Sequence, residues 1–426
     1  MFIQSIIDKK RSGLVLSKDE IDFAISGYVN GEVLDEQMSA LLMAIMINGM
    51  NIKEIYNLTK AMQNSGKTYT FPFEVADKHS SGGVSDSTTL ILLPTLSALN
   101  VKVAKMSGKS LGFTGGTIDK VAMFKGFNTE LNQTEFKTAL NNVGGALISQ
   151  SEEIALADKK IYALRDRCAC VESIPLIASS IMSKKLASGG NTILLDVKCG
   201  KGAFMKDRHS AIKLAKTMVK IGKMDGKNIR AVVSNMNTPL SAGIGCAQEV
   251  YCVIKALNRE DSDLLELSKI LSAHLYSMCE CVDYTSAYNE VCRTINSGKT
   301  KNKLMQIVKN QGGELVNFEN PEQLLYSKVI TPVINDTKSG YISKIDALVM
   351  AKVQKYLQES APERYKCLCG IMLSIGVGQR VERGQELAKL YSANEVAPEI
   401  LDLFLSGITV SGKPVRKEKL ILKVIK

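Results

Sequence analysis

The chain has 426 residues, of which 45% are hydrophobic and 23% charged, with a formal net charge of +11; that is long enough for two or three packed domains and too apolar for a disordered chain. The lysines are scattered rather than gathered on one face, so the basic surplus argues for small anionic substrates and against a nucleic-acid partner. No apolar run reaches the ~18 residues of a membrane span, and the apolar start Met1 to Ile7 runs straight into Asp8, Lys9, Lys10 and Arg11, unlike a secretory leader.

Residues 1–65 read as all-helical. Ser17 and Glu20 form a capping box, the stretch Ile21 to Tyr28 has helical spacing, Asp35 opens another helix through Ile47, and Ile52 to Met62 makes a further one ended by Ser65-Gly66. From Phe71 glycine-rich loops alternate with short apolar runs: Lys102 to Met106, Ala146 to Ser149, Ile193 to Val197 and Ala231 to Ser234. Helical stretches lie between them, which predicts an α/β domain with a mostly parallel sheet over 66–153 and 189–330. The segment at about 154–188 is helical and is expected to return to the helical domain. Pro321, Pro332 and the polar stretch Asn335 to Gly340 suggest a linker. Short strands with glycine turns then make 341–426 a small C-terminal α+β domain.

The ten cysteines include three C-x-C pairs, Cys168/Cys170, Cys279/Cys281 and Cys367/Cys369. The pairs are far apart and only three histidines accompany them, so zinc is not indicated. They read as reduced, mostly buried thiols of a cytoplasmic protein.

Three clusters carry chemistry. The first, Asp77-Lys-His-Ser-Ser-Gly-Gly-Val-Ser-Asp-Ser-Thr-Thr89, places Lys78, Ser80 and Thr89 in a glycine-rich loop that feeds the helix pattern Leu90 to Leu99. Backbone amides at a helix start attract an anion; a plain turn would need only Gly82-Gly83. The second, Lys105 to Lys120, follows a strand-like run and contains Gly108, Gly112, Gly115 and Gly116 with the hydroxyls of Ser107 and Thr117. Its glycines allow close backbone approach to a ligand or serve a long surface loop. It matches neither a P-loop nor G-x-G-x-x-G. The third runs from Tyr162-Ala-Leu-Arg-Asp166 to Lys185. Ser180 and Lys184, four apart, share a helix face and can converge with Arg165 on a carbonyl-rich ring; by itself the pattern better suits a solvated helix with a surface Arg165–Asp166 pair.

In this order and spacing the clusters resemble the thymidine and pyrimidine-nucleoside phosphorylases. The likeness begins with Lys10-Arg-Ser-Gly and Gly27-Tyr-Val-Asn-Gly. It continues through Asp77-Lys-His-Ser, Thr114-Gly-Gly-Thr-Ile-Asp-Lys, Asp196-Val-Lys and Gly202-Ala-Phe-Met205 to Ser234-Asn-Met-Asn. The resemblance implies phosphorolysis of pyrimidine nucleosides (uridine, thymidine, deoxyuridine) by inorganic phosphate, in a homodimer whose cleft lies between a helical and an α/β domain. It implies a phosphate site at Lys78, Ser80, Thr89, Ser107 and Thr117 with Lys105 beside it, and a pyrimidine site at Arg165, Ser180 and Lys184 with His79 near a base carbonyl. Leu111, Val171, Ile177 and Phe204 would wall the base pocket. His79, Arg165 and Lys184 would carry catalysis, with no cofactor beyond phosphate as co-substrate. Lys105 before Met106-Ser107 matches the branch that accepts both ribosides and deoxyribosides.

The chain also departs from the family. Ser-Gly-Arg-Gly-Leu-Gly-His-Thr becomes Ser107-Gly-Lys-Ser-Leu-Gly-Phe-Thr114, Ala122 stands for a Glu, and Glu359-Ser-Ala-Pro replaces a Gly-Ala-Gly-Arg turn ahead of the Val377 to Ala388 hairpin. Some members hold a potassium ion; the corresponding positions are Ser85, Ser87, Leu240 and Gly243, with Cys252 where the family has a carboxylate. Two other readings stand beside the enzyme. A phosphoribosyl transferase would need acidic magnesium ligands, for which only Asp86 and Asp119 offer themselves. A non-catalytic nucleoside-binding paralogue would rest on the altered glycine loop.

Overall fold

The computed structural model describes residues 1–108, 115–150, 153–336 and 338–426. Four helices open the chain: Ile3–Arg11, Lys18–Asn30, Asp35–Asn48 and Ile52–Asn64. The capping box forms as read, the Glu20 amide donating to Ser17 Oγ at 3.2 Å and the Ser17 amide to Glu20 Oε2 at 2.6 Å. A second box, Asn51 with Glu54, starts the fourth helix, and Glu54 also accepts from buried Lys10 at 2.9 Å. Their shared core of Ile6, Ile25, Leu41 and Leu42 is completed by Ile161, Leu164 and Leu176. These come from the helices Leu156–Arg167 and Ile174–Ala187, so the later segment does pack back onto the first four helices.

The large sheet has six strands in the order Ile421–Ile425, Asn228–Asn235, Thr192–Cys199, Ala76–Ser80, Val103–Ser107, Gly145–Ser149. The last five run parallel. Helices cover both faces, so strands such as Thr192–Cys199 are buried throughout. The helix Thr89–Ala98 accommodates Pro94 and is buried almost along its whole length.

Three features differ from the sequence reading. Asp77 to Ser80, read as loop, lie on the central strand Ala76–Ser80. Their charges are paired inside the protein, which is why so polar a run tolerates the middle of a sheet. The C-terminal strand Ile421–Ile425, expected within the 341–426 unit, pairs antiparallel with Asn228–Asn235 and covers an otherwise open sheet edge. The expected linker is partly strand: Val329–Ile334 pairs with Glu386–Ser392 in a four-stranded sheet that also takes Gly370–Leu373 and, from far upstream, Gly243–Ile244. Pro332 is tolerated there because Val329–Ile334 is an edge strand.

Candidate active site

The C-terminal ends of the parallel strands, where ligands bind in sheets of this kind, form one wall of a cavity of about 310 Å³. From this side come His79, Ser80, Gly82, Gly83, Thr89, Lys105, Ser107 and Thr117. The facing wall comes from the returning helices and carries Tyr162, Arg165, Val171, Ile177, Ser180 and Lys184, with Phe204 between the two. The sequence-predicted residues are therefore brought together with two exceptions. Leu111 lies outside the described residues, as do Lys109, Ser110 and Phe113. Lys78 does not line the cavity.

Lys78 instead points to the opposite face of its strand. Its Nζ donates to Thr88 Oγ1 at 2.7 Å and lies 3.5 Å from Asp196 and 3.9 Å from Asp86. Lys198 completes this buried group, 2.7 Å from Asp196 and 3.5 Å from Asp86. Two lysines and two aspartates balance, as buried charges must. Burial alone would raise the Asp86 carboxyl. Lys198 and Lys78 beside it, with hydroxyl bonds from Ser80 and Thr88, hold it well below the usual carboxylate range. Ser80 thus gives its proton to Asp86, at 2.6 Å, rather than to the cavity. Sequence reasoning gave Asp196 and Lys198 no role, although their i, i+2 spacing on a strand puts both on one face.

On the cavity side of the strand, Asp77 is shared by two cations, Lys185 at 2.6 Å and Lys105 at 3.6 Å. Lys105 also donates to the carbonyls of Lys78 and Met106. Burial and the neighbouring Lys185 lower its amine to about 7, against the pull of Asp77. Burial, followed by Lys185, Lys105, Lys184 and Lys78, holds His79 well below the usual imidazole value. His79 is therefore neutral at neutral pH and offers a hydrogen bond, not a mobile proton.

Arg165 is fixed by its own loop. Its Nε donates to Cys170 O at 3.1 Å, Nη1 to Leu176 O at 3.3 Å and Nη2 to Val171 O at 2.6 Å. Lys184 pairs with Asp158 at 2.6 Å, a partner the sequence did not suggest, and reaches Ser180 Oγ at 3.4 Å.

The positions expected for potassium do not fit an ion. Ser85 Oγ lies 2.6 Å from both Gly243 O and Ser241 Oγ and so takes up the Gly243 carbonyl. Cys252 supplies a thiol that burial pushes up to about 11, hence neutral, where a carboxylate would be needed. Ser87 donates to Glu249, which is already paired with Lys120 at 2.6 Å. Leu240 brings no charge. Hard cations want several oxygen ligands with net negative charge. Nor does Asp86, ringed by lysines, or Asp119, whose carboxylate caps the Gly116 amide at 3.3 Å, offer itself for magnesium.

A two-lobed fold with hydroxyls and glycine amides at the strand ends and cationic side chains opposite suits an enzyme that brings an anion and a carbonyl-rich ring together. Comparison with known proteins agrees. The model of the glycosyl transferase family, helical bundle domain, matches residues 4–66, and that of its a/b domain matches 73–301. Pyrimidine-nucleoside phosphorylases of Geobacillus stearothermophilus and Bacillus subtilis (strain 168) are each 40% identical to the chain, over 99% and 97% of both partners. That of a Staphylococcus epidermidis strain is 41% identical over 96% of both. Among solved structures, anthranilate phosphoribosyltransferase from Thermus thermophilus shares the fold: its TM-score is 0.58, at 14% identity, and the match covers 72% of this chain and 98% of that one. The chain belongs to the pyrimidine-nucleoside phosphorylase group of the glycosyl transferase family.

Proposed function

We propose that the cleft splits pyrimidine nucleosides with inorganic phosphate. The observation that carries this reading is the cavity itself: hydroxyls and glycine amides on the strand ends face Arg165, Ser180 and Lys184 across a space fit for a nucleoside and a phosphate. Phosphate sits against Ser107, Thr117, Thr89 and the Gly82-Gly83 amides at the start of the helix Thr89–Ala98. Lys78, expected at the phosphate, supports this cradle from behind through Thr88.

The base lies between Val171, Ile177 and Phe204, its carbonyls toward Arg165, Ser180 and neutral His79. As the bond from the sugar carbon to the ring nitrogen breaks, its electron pair stays on the base. Arg165 and Lys184 stabilise that anion, and His79 donates a hydrogen bond to a ring oxygen. A phosphate oxygen forms the new bond to the same carbon from the other face. The base takes a proton from solvent, leaving free pyrimidine and a pentose 1-phosphate. No electron is transferred to any carrier, so the chemistry calls for no redox cofactor. Holding two reactants in line contributes on the order of several kcal/mol. Lys105, beside the phosphate and level with the sugar, allows ribosides as well as deoxyribosides.

The working form is a homodimer in the cytoplasm. Met43, Met46 and Ile47, exposed along one helix, are the kind of surface a second copy covers; no helix among the described residues is long and apolar enough to cross a membrane. Uridine incubated with and without phosphate decides the main reading. Uracil should appear only with phosphate; release that ignores phosphate would make the enzyme a hydrolase.

A further inference from the structure

Ser85 is one of the few non-glycine residues with a left-handed backbone, at φ +60°. Such a conformation is costly and persists where the surroundings demand it. Here they do. Its hydroxyl is buried and lies 2.6 Å from both Gly243 O and Ser241 Oγ, and it accepts from the Ser241 amide at 3.2 Å. A single side chain thus draws the loop behind the phosphate cradle onto the Ser241 to Gly243 turn.

A second buried tie lies alongside. Lys120 Nζ lies 2.6 Å from Glu249 Oε2 and donates to the Asp86 carbonyl at 2.8 Å; Ser87 Oγ donates to Glu249 Oε2 at 2.8 Å. Lys120 belongs to the short helix Thr117–Val121, whose Thr117 faces the cavity, while Asp86 and Ser87 belong to the loop that leads to Thr89. One ammonium therefore joins both halves of the cradle to the helix Cys246–Leu257.

We propose that the Ser85 hydroxyl does here, alongside the Lys120–Glu249 pair, the joining work of a bound monovalent cation, so that the cradle is assembled by covalently attached groups and the enzyme is independent of potassium. The proposal uses the phosphorolytic reading only for its turnover measurement; the thermal one stands without it.

The test compares potassium, sodium and tetramethylammonium chlorides at equal ionic strength. Thermal midpoint and phosphorolysis of uridine by the unaltered protein should be the same in all three. A midpoint or a rate that rises specifically with potassium would overturn the proposal. In Ser85→Gly/Cys252→Glu, which removes the hydroxyl and adds a carboxylate, the midpoint should become potassium-dependent; an insensitive double variant would show that Ser85 fills no cation position. Should that variant not fold, the comparison on the unaltered protein still decides.

Discussion

Arg165 shows how a charge is aimed. Two main-chain carbonyls of the turn after its own helix and one from the next helix hold the guanidinium, which leaves further N–H groups for a ligand in the cavity it lines. Arg165→Ala should lower kcat for uridine by roughly a hundredfold, about 3 kcal/mol of transition-state stabilisation. It should also lower the thermal midpoint, because those carbonyls lose their donors. Arg165→Lys should recover little, since a point charge cannot reproduce the fork; a normal kcat in either variant would remove Arg165 from the reaction. Lys105 gives a pH prediction. Its amine is lowered to about 7, so the cationic form is complete below that value and is lost as pH rises through it. Phosphate affinity should weaken above pH 7 for this reason, and Lys105→Met should abolish that part of the dependence when the two phosphate KM profiles are divided. His79, already neutral, should add no acid limb near its ordinary value. Identical profile shapes in the two proteins would exclude Lys105.

Among the elements, the strand Ile421–Ile425 bears the clearest consequence of topology. It closes the edge of Asn228–Asn235 beside the strand that holds Asp196 and Lys198. Ending the chain after Leu420 should lower the thermal midpoint by several degrees and promote aggregation through the opened edge, both measurable by calorimetry and light scattering. An unchanged midpoint would mean that this pairing is dispensable. The central strand Ala76–Ser80 teaches the opposite lesson. Its composition disguises it as loop, because pattern reading assumes that charge means solvent. Here both adjacent charges meet partners from neighbouring elements: Lys78 meets Asp196, and Asp77 meets Lys185.

At the scale of the molecule, the two cavity walls belong to different lobes, and the chain passes between them three times. These passages are tied together. Lys67 N donates to Glu153 O at 2.7 Å and Tyr69 N to Ala187 O at 2.8 Å. Gly66 has no room for a side chain, since a Cβ would lie 2.3 Å from Glu153 O. Substrates that bridge the walls should draw the lobes together about these passages. Small-angle scattering should show a smaller radius of gyration with phosphate plus a non-reacting nucleoside than with either ligand, and Gly66→Ala should blunt the change and lower kcat. Equal scattering in all states would rule out closure.

Much of this was legible in the residues alone. Capping boxes, helical periodicity and apolar strand runs are local, and Ser17 with Glu20 or Ile193 to Val197 behave as their neighbours in sequence dictate. The cavity-lining set was legible only through the resemblance to a family, because by themselves the glycines after Lys105 equally suit a surface loop and the Arg165, Ser180 and Lys184 pattern suits a solvated helix. Pairings between distant segments were not. That Lys78 turns away to Asp196, that Lys184 answers to Asp158, that Gly243–Ile244 joins a sheet formed more than a hundred residues later, and that Ser85 meets Gly243 depend on which elements the packed core brings side by side. A buried charge or hydroxyl takes whatever partner lies within about 3 Å once water is excluded, and that choice is made in three dimensions.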